Sequence, residues 1–165
     1  MNVTQYISIL SIGRLKRVKQ PDARPEKNVA RKSRIPTRRA VVRQQLRAVG
    51  LSSIDMLRPE TFSIVRYLNK DEIVQAAVVG HEVKGGSVVM LVLTTERFIY
   101  FNQIPLFSSI EDIATSAVQS ITEVVSAFGI EIHLDLGGQQ IIVDTRNKQA
   151  AQRFVQLLEQ KLIDE

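Results

Sequence analysis

Residues 87–101 read SVVMLVLTTERFIYF, and the architecture of the chain turns on how this stretch folds. Two apolar strands flank the polar step Thr94-Thr95-Glu96-Arg97, so the chain folds back on itself as a hairpin. A two-stranded ribbon is marginal in water, and Val88 to Leu93 is apolar on both faces, so further strands or a helix must cover it. The chain beyond Phe101 supplies three more strand-like segments and one amphipathic helix. That is the pattern of a small sheet plugged by a terminal helix, and it fits a binding module better than an enzyme.

The period turns strand-like at Glu72. Ile73 to Val83, the turn Lys84-Gly85-Gly86, Ser87 to Thr94 and Arg97 to Asn102 make an antiparallel meander. Gln103-Ile104-Pro105 interrupts it, and Ser109 with Asp112 has capping-box spacing, so Ile110, Ile113 and Ala117 open either a short helical turn or a fourth strand. Ala117 to Val125 is strand-like. Ile130, Ile132, Leu134 and Leu136 then alternate with Glu131, His133 and Asp135, giving one buried and one wet face. Gly137-Gly138 provides the positive φ of a tight hairpin, and Gln139 to Thr145 returns as the last strand. Asn147 to Leu162 closes the chain as a helix whose stripe is Ala150, Ala151, Phe154, Leu157, Leu158 and Leu162.

Before the sheet, TRRAVVRQQLRAVG predicts a short basic helix with Thr37 as N-cap and Gly50 just past its end, Val41, Leu46 and Val49 lying to one side. Ser52 or Ser53 caps the next segment, the chain breaks at Arg58, and Pro59 starts a second helix that presents Phe62, Val65 and Leu68 to the domain beginning near Lys70. Gln20 to Pro36 contains three prolines and reads as a linker. For Met1 to Lys19 an amphipathic membrane-surface helix, an organellar targeting segment and a short strand or tail all stay open.

Charge divides the chain. Residues 1–50 hold 13 basic side chains against Asp22 and Glu26, whereas residues 51–165 hold nine basic and 15 acidic ones. A basic arm therefore precedes an acidic body. Its candidate contacts to an anionic partner are Arg14, Lys16, Arg17, Lys19, Arg31, Lys32, Arg34, Arg38, Arg39, Arg43 and Arg47. Cysteine is absent, which removes disulfides and thiolate metal sites, and no apolar run approaches the roughly 20 residues that span a bilayer. The expected location is cytoplasmic, peripheral to a membrane where the arm meets one.

Catalytic patterns are missing. His81 and His133 are the only histidines and neither has a partner at ligand spacing. Glu131, His133 and Asp135 alternate on one strand, which a solvated strand face explains. Lys84-Gly85-Gly86-Ser87 is too short for a phosphate loop, and no serine stands in a nucleophile elbow. No enzyme activity and no cofactor is expected.

A leucine-rich strand ending in Leu93-Thr94, then Arg97, Phe98, Ile99 and Tyr100, followed by GIEIHLDLGGQQIIVDT and the helix AAQRFVQLLEQKL, resembles the bacterial pleckstrin-homology-like families over about residues 55–165. The resemblance implies a mainly β (α+β) fold: a bent antiparallel sheet or open barrel of about seven strands, capped by a C-terminal helix. It implies a non-catalytic interaction module. Residues 1–50 are then a basic arm with linker and short helix, and residues 51–165 the domain with its leading helix. Implied partners are a protein or further copies of the chain, or an anionic membrane surface met by the arm. Nucleic acid bound by the same arginines and a subunit role in a larger assembly are the alternatives. The turn His81 to Ser87, basic in phosphoinositide-binding relatives of this fold, holds only Lys84 here, so any anionic-lipid contact falls to the arm.

Overall fold

A computed structural model describes residues 36–164 apart from 105, 106 and 128. The readings of the first stretch and the linker, and the placement of Arg14, Lys16, Arg17, Lys19, Arg31, Lys32 and Arg34, lie outside the described residues. Two helices come first, α1 (Arg38–Ala48) and α2 (Pro59–Tyr67), joined through a 3-10 turn at Asp55–Leu57. Seven strands follow: β1 (Val74–Glu82), β2 (Val88–Thr94), β3 (Phe98–Ile104), β4 (Phe107–Ile113), β5 (Ser120–Val125), β6 (Ile130–Asp135) and β7 (Gln140–Thr145). The helix α3 (Lys148–Asp164) ends the described chain.

The strands form one antiparallel sheet in the order β4-β3-β2-β1-β7-β6-β5. The meander β1 to β4 is continuous, whereas β1 meets β7 only at His81↔Asp144 and Glu82↔Val143. A side-chain bond reinforces that seam, the Thr145 hydroxyl donating to the Val79 carbonyl at 2.8 Å. The Ser109 to Asp112 region is the fourth strand and not a helical turn, paired with β3 from Phe98↔Ile113 to Ile104↔Phe107. Gln103 and Ile104, expected to interrupt the meander, instead complete β3, because β4 offers their backbone a partner. The strand expected from Ala117 starts at Ser120, after a 3-10 turn at Thr115–Ala117, and the exposed Ile73 lies just before β1.

Both faces of the central strands are covered. Val89, Leu91, Leu93, Phe98 and Tyr100 belong to a core shared with β5, β6, β7 and α3. Met90, Val92, Ile99 and Phe101 point the other way, into a second core built with Val42, Leu46, Val49, Met56, Ile64 and Leu68 from the N-terminal helices. This is why β2 is apolar without a break from Val88 to Leu93. The period-2 geometry sends alternate side chains to opposite faces, and each face has its own helical cover.

The ends of α1 explain its orientation. Gly50 at φ +102° lets the chain reverse, with Leu51 N–H donating to Leu46 O at 3.1 Å and Gly50 N–H to Arg47 O at 3.0 Å. That is a Schellman termination, and it seats Leu51 beside Leu46 in the second core. Thr37 sits at the N-cap position in extended backbone, but its side chain makes no capping bond. The buried face is Val42, Leu46 and Val49, not Val41, which stays exposed. Helix α1, read from the sequence as the end of the arm, thus packs into the compact unit Ile35–Glu165. In α2 the buried positions are Glu60, Thr61, Ile64 and Val65, and Phe62 is only half-buried. Thr61 turns inward because its hydroxyl reaches Asp55 O at 2.6 Å.

Helix α3 closes the first core as expected. Ala150, Ala151, Phe154, Val155 and Leu158 are buried, and the Phe154 ring meets Phe98 edge-on at 5.7 Å. Its cap is Asn147, whose Oδ1 accepts the Ala150 N–H and whose Nδ2 donates to Gly50 O at 2.8 Å. Lys161 donates from Nζ to Thr94 O at 2.9 Å, tying the last turns of α3 to the end of β2.

Candidate anionic docking surface

With Val42, Leu46 and Val49 buried, α1 must turn its basic side chains outward. Arg39, Arg43 and Arg47 stand four residues apart and so share a stripe. They line a shallow cleft of about 480 Å3 with Thr37, Ala40 and Gln44, and no carboxylate takes part. The guanidinium carbons of Arg39 and Arg43 each lie 5.1 Å from the Phe62 ring centroid. Arg43 also donates from Nη2 to Met56 O at 3.0 Å. Phe62 thus holds two of the arginines by cation–π attraction. Arg38, Arg39 and Arg47 are exposed and Arg43 is half-buried.

Beside this face, three segments converge on a groove of about 890 Å3. It runs along the seam where β1 and β7 diverge, lined by Val79, Gly80, His81, Asp144 and Thr145, and its other wall is Ser52, Ile54, Asp55 and Arg58, with Arg146 and Asn147 at one end. No motif announced it, since it comes from the short β1–β7 pairing. A Cβ on Gly80 would stand 2.5 Å from Asp144 O, so the floor needs glycine there.

Elsewhere the polar clusters are engaged internally. Glu131 and His133 meet each other at 3.0 Å, while Asp135 accepts the Gly137 N–H at 2.9 Å, so the three do not converge as a set. Among the described residues no group of three or more histidine or carboxylate side chains is placed to hold a metal ion. At the β1–β2 turn the only cation is Lys84, and Glu82 accepts from the Ser87 hydroxyl at 3.2 Å. Tyr100 is buried nearby. Burial first, and then the Glu82 carboxylate, push its hydroxyl pKa well above the ordinary value.

Arg97 is the hub of a structural network. Its Nε and Nη2 lie 3.0 Å from Glu72 Oε1 and Oε2, and its Nη1 binds Asp112 at 2.6 Å. Its guanidinium stacks 4.8 Å from the Tyr67 ring centroid. Burial alone would raise the Glu72 pKa, but hydrogen bonds from Arg97, the Asn69 N–H and Thr94 outweigh it and hold the carboxyl below its usual range. Arg97 itself is pushed upward by Glu72.

A seven-stranded antiparallel sheet covered by a C-terminal helix is the architecture of a domain of the pleckstrin-homology type. Residues 68–160 match the family model of the bacterial PH domain, and the chain belongs to that family. The family is one of interaction modules. No curated protein matches the chain. The match starts at Leu68, just past α2, so α1, the 3-10 turn and α2 all precede it. No helix among the described residues is long and apolar enough to cross a membrane.

Proposed function

We propose that the chain is a non-catalytic docking module that holds to an anionic membrane surface through the cationic face of α1. The observation that carries this reading is the stripe Arg39, Arg43 and Arg47, displayed in a cleft with no carboxylate. Arg38 and the basic residues Arg14, Lys16, Arg17, Lys19, Arg31, Lys32 and Arg34 add charge of the same sign. Each basic residue near an anionic leaflet contributes about 1 kcal/mol. The sheet and its two cores serve here to fix the orientation of α1.

Co-sedimentation with vesicles tests the reading. The full chain binds vesicles containing phosphatidylserine, fails to bind neutral phosphatidylcholine vesicles, and loses affinity as salt rises. Arg39→Glu with Arg47→Glu weakens binding by about 30-fold or more. Equal binding to neutral and anionic vesicles, or no effect of the double reversal, overturns it.

A further inference from the structure

We infer that the turn at Ile54–Leu57 is an aliphatic wedge by which this surface enters the interfacial layer of an anionic bilayer, an inference that rests on the docking reading above. Ile54 is 73% exposed and Leu57 72%, while Met56 between them is buried at 2%. Three residues apart in a 3-10 turn, the two aliphatic side chains share one outward face.

Most of the backbone of this turn has partners within the protein. The N–H groups of Asp55, Met56, Leu57 and Arg58 donate to Ser52 Oγ, Ser52 O, Ile54 O and Asp55 O respectively. The carbonyls of Ile54, Asp55 and Met56 accept from Leu57 N–H, the Thr61 hydroxyl and Arg43 Nη2. Unpaired backbone groups are what make a loop costly to move out of water, and these groups have partners within the protein. The carboxylate of the turn is engaged as well, Asp55 lying 3.4 Å from Arg58 and accepting from Ser52.

Charge selects the occupant. The bond from Arg43 to Met56 O places the wedge against the arginine stripe, while in the adjoining groove Arg58 and Arg146 are balanced by Asp55 and Asp144. Asp144, the other carboxylate of that groove, accepts from the Ser126 hydroxyl at 3.2 Å. An aliphatic tip beside a cationic stripe matches phosphate headgroups over an acyl layer. Two side chains also fall far short of the roughly 800 Å2 per partner of a stable protein interface. The turn precedes Leu68 and is no part of the matched family region.

The chain has no Trp, so Leu57→Trp in the full chain gives a sole indole reporter, with Val125→Trp on the exposed end of β5 as control. On phosphatidylserine vesicles the emission of the Leu57→Trp variant shifts to the blue and is quenched by brominated acyl chains, while that of the Val125→Trp variant does neither. Ile54→Ser with Leu57→Ser lowers affinity about tenfold or more at an unchanged melting temperature. An unshifted emission from Leu57→Trp on vesicles that still bind the protein, or full affinity of the double serine variant, overturns the wedge and leaves the docking reading standing. Failure of the unsubstituted chain to bind anionic vesicles overturns both.

Discussion

Arg97 and Glu72 form a two-pronged ion pair, each of two guanidinium nitrogens 3.0 Å from a separate carboxylate oxygen, with the Glu72 side chain wholly out of water. The pair joins the segment entering β1 to the start of β3. Arg97→Met strands a buried carboxylate and costs about 3–5 kcal/mol in urea unfolding. Arg97→Lys recovers only part of this, because an ammonium lacks the planar fork.

The same pair sets a pH dependence. The folded Glu72 carboxyl titrates below its unfolded value near 4.5, so its contribution is full at neutral pH. That stability drains away as pH falls from about 4.5 through the lower folded value. Urea midpoints between about pH 7 and pH 3 show this loss in the native sequence, and Glu72→Gln, less stable at neutral pH, shows a shallower decline.

Helix α1 is a structural part of the domain. Leu46→Ala leaves a cavity in the second core and costs about 2–5 kcal/mol. A chain starting at Ile35 melts cooperatively, whereas one starting at Leu51 loses Val42, Leu46 and Val49 from the second core, opens part of it to water and aggregates. Thermal melts and gel filtration of the two truncations check this directly.

At the seam, Gly80→Ala drives a methyl group against Asp144 O and Val143 Cγ1, 2.5 and 2.6 Å from the new carbon. Strand backbones cannot yield as a flexible side chain does, so the variant loses about 1–3 kcal/mol. Amide exchange accelerates first at His81, Glu82, Val143 and Asp144, the residues paired in the short β1–β7 ladder.

Much of this fold is legible in the sequence. The alternation of Ile130, Ile132 and Leu134 marks a half-buried strand, and Gly137 and Gly138 do turn with φ of +75° and +133°. The unbroken apolar run in β2 requires two covers but does not identify them, because that depends on contacts far along the chain. Val41 and Val42 are adjacent valines about 100° apart on a helix, and only packing selects Val42. Phe62 outranks Thr61 in hydrophobicity, yet the hydroxyl of Thr61 has a buried acceptor and the ring of Phe62 has two arginines. The charges of α1 are visible in the sequence. The wedge is not, since apolar residues in a short turn ordinarily read as core, and their exposure depends on where Met56 is seated.

Asn147 and Gly50 are 97 positions apart, yet the amide of one closes the end of the helix that precedes the other. A chain emerging from the ribosome holds both N-terminal helices and can complete β1 to β4 early, but the cover over the first core arrives only with the last helix. That side of the sheet is therefore sealed only once α3 has left the ribosome, and the nascent meander spends the interval in need of protection from its neighbours.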